Sequence, residues 1–247
     1  MAVLRSRLLL ALAALILLAP VAAKADPVPT GYSMWVNLGG DYFSGADLAP
    51  DLTFVADAYG GTWTLNGPVA KTNGTVSSWS SVYDFDPFVT NNVSIVNTTG
   101  FVQTYIVGVT SPIAPQLPST LMNGSIGITI TNTPTGGVTL TSVAPDAVYS
   151  ARIDGTTVAT LDNHPYTLTC APAFCSTTQN VSFGSPIPIG GPGATTNIGI
   201  TLRFTLTPGD QASVTSVFNI VAVPEPGTAL MLGAGLLGLV AIGRRRA

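Results

Sequence analysis

Glutamate is missing from residues 26 to 223, and basic residues are almost missing. Lys71, Arg152 and Arg203 are the only cations there. They face eleven aspartates, which gives this stretch a net charge of −8. Nucleic-acid binding depends on Lys and Arg that neutralise phosphates, so this composition excludes a nucleic-acid-binding function. Histidine is scarce as well, since His164 is the only one in the chain.

The same stretch has little that favours helices. Lys and Glu, which are good helix formers, are rare or missing, whereas Thr, Ser, Asn, Gly and Val are frequent. No part of it shows a sustained hydrophobic period of 3.6 residues. We therefore predict an almost entirely β domain.

Alternation of apolar and polar residues predicts where the strands lie. It is clearest from Ile198 to Leu206, and Ile126 to Thr131 repeats it. Further strands are predicted at residues 32–38, 52–58, 102–110, 138–143, 148–153 and 214–221. Asp154-Gly155 is expected to close a hairpin between residues 148–153 and 156–161, because both residue types tolerate positive φ. Short strands at this spacing predict an antiparallel sandwich or a Greek-key barrel.

Residues 26–223 are long enough for one large β domain or two small ones. A proline-rich stretch at 111–119 either links two domains or forms a crossover loop within one. Prolines suit both, because they cannot donate to a β-ladder. We favour a single domain.

The N-terminus has the three parts of a signal peptide. Arg5 and Arg7 precede twelve apolar residues at 8–19, and Ala23 and Ala25 then give the small-x-small pattern that signal peptidase recognises. The apolar run is short for a bilayer, which needs about 20 residues. Residues 1–25 are therefore predicted to be a helical signal peptide. A permanent N-terminal anchor is the alternative.

The C-terminus, residues 224–247, contains a second hydrophobic segment. Pro224, Glu225 and Pro226 precede the uncharged stretch 227–243, and the arginine cluster 244–246 (Arg244, Arg245 and Arg246) follows it. As a helix the stretch would span about 26 Å, slightly less than a hydrocarbon core. The arginines should stay cytoplasmic, which places residues 26–223 on the other side of the inner membrane. A transmembrane helix at 227–243 is expected, and an ordinary single-pass anchor is the alternative reading.

This tail resembles the PEP-CTERM sorting domain, also catalogued as the ice-binding protein C-terminal domain. The resemblance covers about 25 residues, but the motif, the span and the basic cluster occur in the family's order at the end of the sequence. It implies that an exosortase, a multispanning membrane enzyme, cuts near Pro224, Glu225 and Pro226. The helix would then be a temporary anchor, with the arginine cluster as its stop signal.

Cys170 and Cys175 are the only cysteines. In an exported chain two cysteines are expected to pair, because that compartment is oxidising. The loop is short, so the bond would contribute only about 2 kcal/mol. Two ligands without a histidine in the loop do not make a zinc site. We predict a disulfide, no metal and no cofactor.

Few residues of the outer domain suggest a site. His164 lies in a turn, with no Gly-x-Ser-x-Gly motif to support a catalytic triad. Asp84 and Asp86 share a strand face near aromatic residues, which suits sugar binding or, less well, glycosidase chemistry. Four loop aspartates could bind calcium, although turn capping explains them more simply. These are Asp41, Asp47, Asp51 and Asp57.

Three functions are therefore weighed for the outer domain. The favoured one is a non-catalytic protein of the cell surface or extracellular matrix. A carbohydrate-binding sandwich that uses aromatic residues is the second, and a secreted hydrolase is the least favoured. The aromatic candidates are Trp35, Trp63, Trp79 and Tyr83.

The signal-peptide assignment predicts the first residue of the exported protein. Cleavage after Ala25 leaves Asp26 at the N-terminus, and N-terminal sequencing of protein released from the cell envelope checks this. A sequence that still begins at Met1 would support the permanent anchor instead.

Overall fold

The structure is a computed structural model that describes residues 31–84, 87–132 and 136–223. Two antiparallel β-sheets pack face to face over a shared hydrophobic core. This confirms the all-β class and the sandwich. The expected signal helix and transmembrane helix lie outside the described residues. Within those residues, no helix has the length and apolar character needed to cross a membrane.

Seventeen strands occur in the described parts of the chain. In chain order they are β1 (Ser33–Leu38), β2 (Asp41–Ser44), β3 (Leu52–Ala56), β4 (Gly60–Leu65), β5 (Val69–Lys71), β6 (Gly74–Asp84), β7 (Phe88–Val96), β8 (Gln103–Pro112), β9 (Thr120–Thr131), β10 (Val138–Ser142), β11 (Tyr149–Ile153), β12 (Thr156–Leu161), β13 (Thr167–Cys170), β14 (Ser176–Phe183), β15 (Ile189–Gly191), β16 (Asn197–Leu206) and β17 (Gln211–Ala222).

The first sheet has the strand order β12-β11-β16-β8-β1-β2, with β10 also pairing with β16 and β13 with β10. The second has the order β14-β9-β17-β7-β6-β4-β3, with β15 added to β9 and β5 to β6. The segment between β8 and β9 carries the chain from the first sheet to the second. Strands from both sides of that segment pair in each sheet.

The core consists of the inward faces of both sheets. In β16, the residues from Ile198 to Leu206 alternate as predicted, and each second side chain is fully buried. In β9, Ile126, Ile128 and Ile130 do the same. Strict alternation holds each register, because a slip of one residue would expose the whole apolar set. The largest buried side chains are Trp79, Tyr83, Tyr105, Tyr149, Phe204 and Phe218.

Several strands were not among those predicted. In β7 and β14 the apolar alternation is irregular, and in the short strands it is absent or too brief to predict a strand. These short strands are β2, β4, β5, β13 and β15, and of β6 only the Asp84 end is predicted. Polar side chains such as Ser81 and Asn91 occupy inward positions of β6 and β7. β14 is an edge strand whose burial never exceeds an intermediate level. Period-two reasoning misses strands whose inward positions are polar or barely covered.

A short helix lies between β2, at the edge of the first sheet, and β3, at the edge of the second. Helix α1 (Gly45–Leu48) begins at Ser44, whose hydroxyl accepts from the amide of Asp47 while the Asp47 carboxylate accepts from the amide of Ser44. This capping box satisfies donors that a helix start leaves open. Leu48, the last residue of the helix, has a buried side chain. A 3₁₀ turn at Ala49–Asp51 leads on to β3.

Both ends of the described chain lie at the same end of the sandwich. A Cβ atom at Gly31 would lie 3.1 Å from Pro112 at the end of β8, and the amide of Val223 donates to the carbonyl of Ser119 at 3.2 Å. Pro112 and Ser119 bound the connection between β8 and β9. The segments that precede and follow the domain therefore leave from one side of it.

The hairpin predicted at Asp154-Gly155 joins β11 to β12. Asp154 and Gly155 both have positive φ, at 49° and 78°, as a type I′ turn requires. The carboxylate of Asp154 also accepts from the amides of Thr195, Thr196 and Asn197 at 2.7–3.1 Å. The turn is thereby attached to the chain that enters β16.

Replacing Asp154 with Ala should lower the free energy of unfolding by about 1 kcal/mol, as for loss of a side-chain cap. Burial opposes ionisation of Asp154, but its hydrogen bonds outweigh that effect and lower its pKa. Because its pKa is lower in the folded state, ionised Asp154 stabilises the fold above about pH 4. That stabilisation is lost as the pH falls below this value and the carboxylate is protonated. Wild type should therefore lose more stability on acidification than the variant, as urea titrations at several pH values would measure. Equal acid sensitivity would contradict this assignment.

Asp57→Ala is the matched control. Asp57 is also exposed in a turn, where it accepts a local hydrogen bond from the amide of Tyr59. Its removal should change stability by less than half as much as removal of Asp154.

Candidate functional site

The sorting tail begins where the β-domain ends. Strand β17 runs to Ala222, and Val223 is the last described residue before Pro224, Glu225 and Pro226. Those three residues and the arginine cluster lie outside the described residues, as do Ala23 and Ala25 of the predicted signal peptide. No linker separates the domain from the motif in sequence.

Burial separates the four aromatic candidates into two groups. Trp79 and Tyr83 are 1% exposed and belong to the core. The indole Nε1 of Trp79 donates to the side-chain oxygen of Asn91 at 2.7 Å, and burial raises the pKa of Tyr83. Neither side chain can meet an external ligand. Trp35 and Trp63 are partly exposed and remain available.

Trp63 lines a cleft of about 420 Å³ between the edges of the two sheets, and Trp35 and Tyr42 also border it. We call it the edge cleft. Its walls are mainly apolar and include Met34 and Leu52. The Ser44 hydroxyl in the cleft already donates to Asp47 at 2.7 Å. The edge cleft therefore offers apolar contact and few hydrogen-bonding groups.

Trp35 lies on the outer surface of the first sheet. Its ring covers Gly108 on the neighbouring strand, where a Cβ atom would come within 2.2 Å of the indole. Only glycine allows the ring to lie this close to the sheet. Tyr42, which is 57% exposed, stacks beside it with ring centroids 5.7 Å apart and planes at 30°. Together the two rings form a flat aromatic platform.

Arg152 and Arg203, two of the three cations of residues 26–223, lie on the same face of the first sheet as this platform. Strand pairing places Trp35, Gly108 and Thr201 in one row on β1, β8 and β16. Arg203 lies two residues from Thr201 along β16. On β11, Ser150 pairs with Thr201 and Arg152 pairs with Gly199, so Arg152 lies on the other side of this row and both cations share the outward face. We call this surface the Trp35 face. Its defining residues are Trp35, Gly108, Ser150, Arg152, Thr201 and Arg203.

Two adjoining clefts of about 160 and 310 Å³ lie on the Trp35 face, and Trp35, Arg152 and Thr201 line both. The Arg203 guanidinium forms a salt bridge with Asp146 in the larger cleft. Arg152 donates to the carbonyl of Gly155 from Nε and a terminal nitrogen, at 3.0 and 2.6 Å. Both cations are thus held in place by the fold.

His164 does not complete a catalytic triad. Its Nδ1 lies 3.0 Å from the hydroxyl of Ser142, but that hydroxyl also accepts from the amide of Tyr166. The nearby carboxylate of Asp162 accepts from Gln179 at 3.0 Å. Burial raises the pKa of Asp162, with the bond from Gln179 opposing it. Among the described residues, no carboxylate is hydrogen-bonded to the His164 imidazole, and the second oxygen of Asp162 has no partner.

The acidic candidates are dispersed over local structural roles. Asp47 caps α1, Asp57 closes its own turn, and Asp41 accepts from the side-chain amide of Asn73 at 3.2 Å. Asp51 belongs to the 3₁₀ turn. Over residues 31–84, 87–132 and 136–223, no three His, Cys, Asp or Glu side chains lie close enough together to bind a metal.

The remaining predicted residues lie apart from the clefts described above. Asp84 is the last residue of β6, and Asp86 lies outside the described residues. Cys170 and Cys175 are joined in a disulfide between β13 and β14. This bond links the end of a first-sheet strand to the start of a second-sheet strand.

Trp35 is predictable from the sequence as a candidate for ligand binding, but its partners on the Trp35 face were not predicted. Arg152 and Arg203 could have been found, because both occupy polar positions of predicted strands in a stretch that has only three cations. Gly108 carries no comparable signal. Its role depends on a ring contributed by a strand about seventy residues away in sequence.

Comparison with known proteins identifies the tail. A family model described as the PEP-CTERM protein-sorting motif matches residues 222–246. This confirms the resemblance found in Pro224, Glu225, Pro226 and the arginine cluster. The match begins at the last residue of β17. No curated protein matches the chain at a significant level.

Similarities to solved structures are weak. One is to a cyclase from Fischerella sp. TAU in complex with 4-(1H-indol-3-yl)butan-2-one, at 12% identity and a TM-score of 0.24, covering 81% of this chain and 89% of that one. Another is to a family 11 carbohydrate-binding module from Clostridium thermocellum in complex with a mixed-linked tetrasaccharide, at 12% identity and a TM-score of 0.19, covering 78% and 98%. Scores this low support no statement about ligand or activity.

The two classes of tryptophan should respond differently to truncation. Trp79→Ala should reduce the free energy of unfolding by about 3–5 kcal/mol, because it opens a cavity in the core and leaves Asn91 without its indole donor. Trp35→Ala should cost about 1 kcal/mol or less, as for surface positions. Urea unfolding followed by circular dichroism would measure both. Comparable losses would show that Trp35 is a structural residue.

Proposed function

We propose that this chain, which carries a PEP-CTERM protein-sorting motif at residues 222–246, is an exported protein of the cell surface or extracellular matrix. Signal peptidase would remove residues 1–25, and the tail would anchor the precursor transiently in the inner membrane. An exosortase-type enzyme would then cut near Glu225. The motif match at the end of the last strand carries this proposal.

The chemistry of the motif suits recognition by an enzyme at the membrane surface. Pro224 and Pro226 disfavour helical conformation at their own positions and at the residue before each. The motif should therefore be extended on the outer side of the proposed transmembrane span. Glu225 places one negative charge between the uncharged span and the domain. This is the only glutamate in the chain, so it offers a distinctive feature for the enzyme.

Chain length limits how far the domain can stand from the bilayer before cleavage. Val223 is four residues before Gly227, where the proposed span begins, and four extended residues reach at most about 14 Å. Because both described ends lie at one end of the sandwich, that end would face the membrane. The Trp35 face, on the broad outer side of the first sheet, would then remain accessible from outside.

The outer domain is proposed to act without catalysis. Within the described part of the chain, no carboxylate is hydrogen-bonded to His164 in the Ser142–His164 pair. The clefts described above contain neither His164 nor Asp84. These features support a structural or binding role over a hydrolase.

Carbohydrate binding is the second candidate function for the outer domain. One observation favours it, namely the exposed Trp35–Tyr42 platform beside fixed polar groups on the Trp35 face. Extracellular polysaccharide would be the partner. Retention of the purified β-domain on insoluble polysaccharide tests this function, and no retention on any polymer would exclude it.

Glu225→Ala should leave the precursor uncut and associated with the membrane, because the enzyme loses the charge that marks the motif. Fractionation and immunoblotting of the native host would show a larger, membrane-bound product. Asp57→Ala, which removes an exposed acid from the β-domain, is the control and should be processed normally. Normal processing of Glu225→Ala would refute the sorting role of the motif.

A further inference from the structure

We infer that the Trp35 face is a binding site for a neutral hexopyranose unit of a polysaccharide, an inference that rests on the second proposed function. The Trp35–Tyr42 platform would stack against the apolar face of the sugar ring. Side chains in the two adjoining clefts would hydrogen-bond its hydroxyls. The larger cleft, about 310 Å³, falls within the size range of small-ligand sites.

The position of Trp35 suits a platform because its geometry is fixed in advance. The ring lies against the backbone at Gly108, and Tyr42 of the neighbouring strand packs beside it with ring centroids 5.7 Å apart. Little rotamer freedom is then left to lose when a ligand binds, which favours affinity. Aromatic rings also contribute large apolar contact areas with few rotatable bonds.

The polar groups of the Trp35 face include both donors and acceptors. The Arg152 guanidinium donates hydrogen bonds, and the Asp146 carboxylate accepts them. The hydroxyls of Ser150 and Thr201 can both donate and accept. Sugar hydroxyls also donate and accept, so such a mixture matches them. The edge cleft has mainly apolar walls, and its Ser44 hydroxyl is engaged by Asp47.

Charge decides between a neutral and an acidic sugar. Arg203 is neutralised by its salt bridge with Asp146, which leaves Arg152 as the one unpaired cation of the face. Asp154, in the turn that follows β11, carries an opposing charge because its pKa is lowered. Residues 26–223 carry a net charge of −8, which repels an acidic polymer. A neutral polysaccharide therefore fits this surface.

Affinity electrophoresis tests the inference with defined probes. Native gels containing dextran, galactomannan, xyloglucan or a β-glucan are compared with gels containing alginate, an acidic polymer. Wild-type β-domain should be retarded in at least one neutral gel. Trp35→Ala should weaken that binding at least tenfold. Thr201→Val, which keeps the shape and the β propensity of the side chain, should weaken it several-fold through loss of the hydroxyl.

Tyr59→Ala is the control, because Tyr59 is an aromatic residue that is 68% exposed and remote from the Trp35 face in strand order. Its binding should equal that of wild type. Circular dichroism confirms that each variant is folded. If Trp35→Ala does not fold, Thr201→Val and Trp35→Phe still decide the matter, since Phe should retain part of the affinity.

The possible outcomes separate the two proposals. Retardation that Trp35→Ala and Thr201→Val leave unchanged would overturn the site but keep carbohydrate binding. Retardation in alginate alone would overturn the neutral assignment. No retardation in any gel would overturn both. The sorting role of the tail depends on none of these results, because Glu225→Ala tests it separately.

Discussion

The fold depends on the alternation of side chains along the long strands of two opposed sheets. In β9 and β16 every second residue enters the core with almost no exposure, and the residues between them face outward. Each register is therefore fixed by burial, because a shift of one residue would exchange the two faces. The same constraint decides which side chains are displayed. Trp35, Thr201 and Arg203 are outward because Met34, Leu202 and Phe204 are inward.

This explains what the sequence could and could not predict. β9, β16 and the Asp154-Gly155 hairpin follow from local patterns, as period-two alternation and positive φ are properties of adjacent residues. β7 was not predictable in this way because its buried positions include Asn91, whose side-chain oxygen accepts a hydrogen bond from Trp79 of another strand. The sequence could not separate the buried aromatic candidates from the exposed ones for a similar reason. Trp35 and Trp79 look alike in sequence, and only the pairing of strands shows that one is outward and the other buried.

Prediction of the functional residues from sequence was limited in the same way, and more strongly. The sorting motif was predictable because its parts are contiguous and their chemistry needs no tertiary contact. The Trp35 face is assembled from β1, β8, β11 and β16, so its residues are spread over more than 160 positions. Gly108 contributes by having no side chain, which no composition argument detects. The two regions also act separately. The tail would set where the protein goes, whereas the first sheet would set what it touches there.

The intact mass of the protein recovered from the native cell surface tests the central claim most directly. If both hydrophobic ends are removed during export, as proposed, the recovered species begins at Asp26 and ends near the Pro224–Pro226 motif, and its mass is well below the 25.3 kDa of the full chain. A surface protein that keeps the arginine cluster would contradict it and would indicate a permanent membrane anchor.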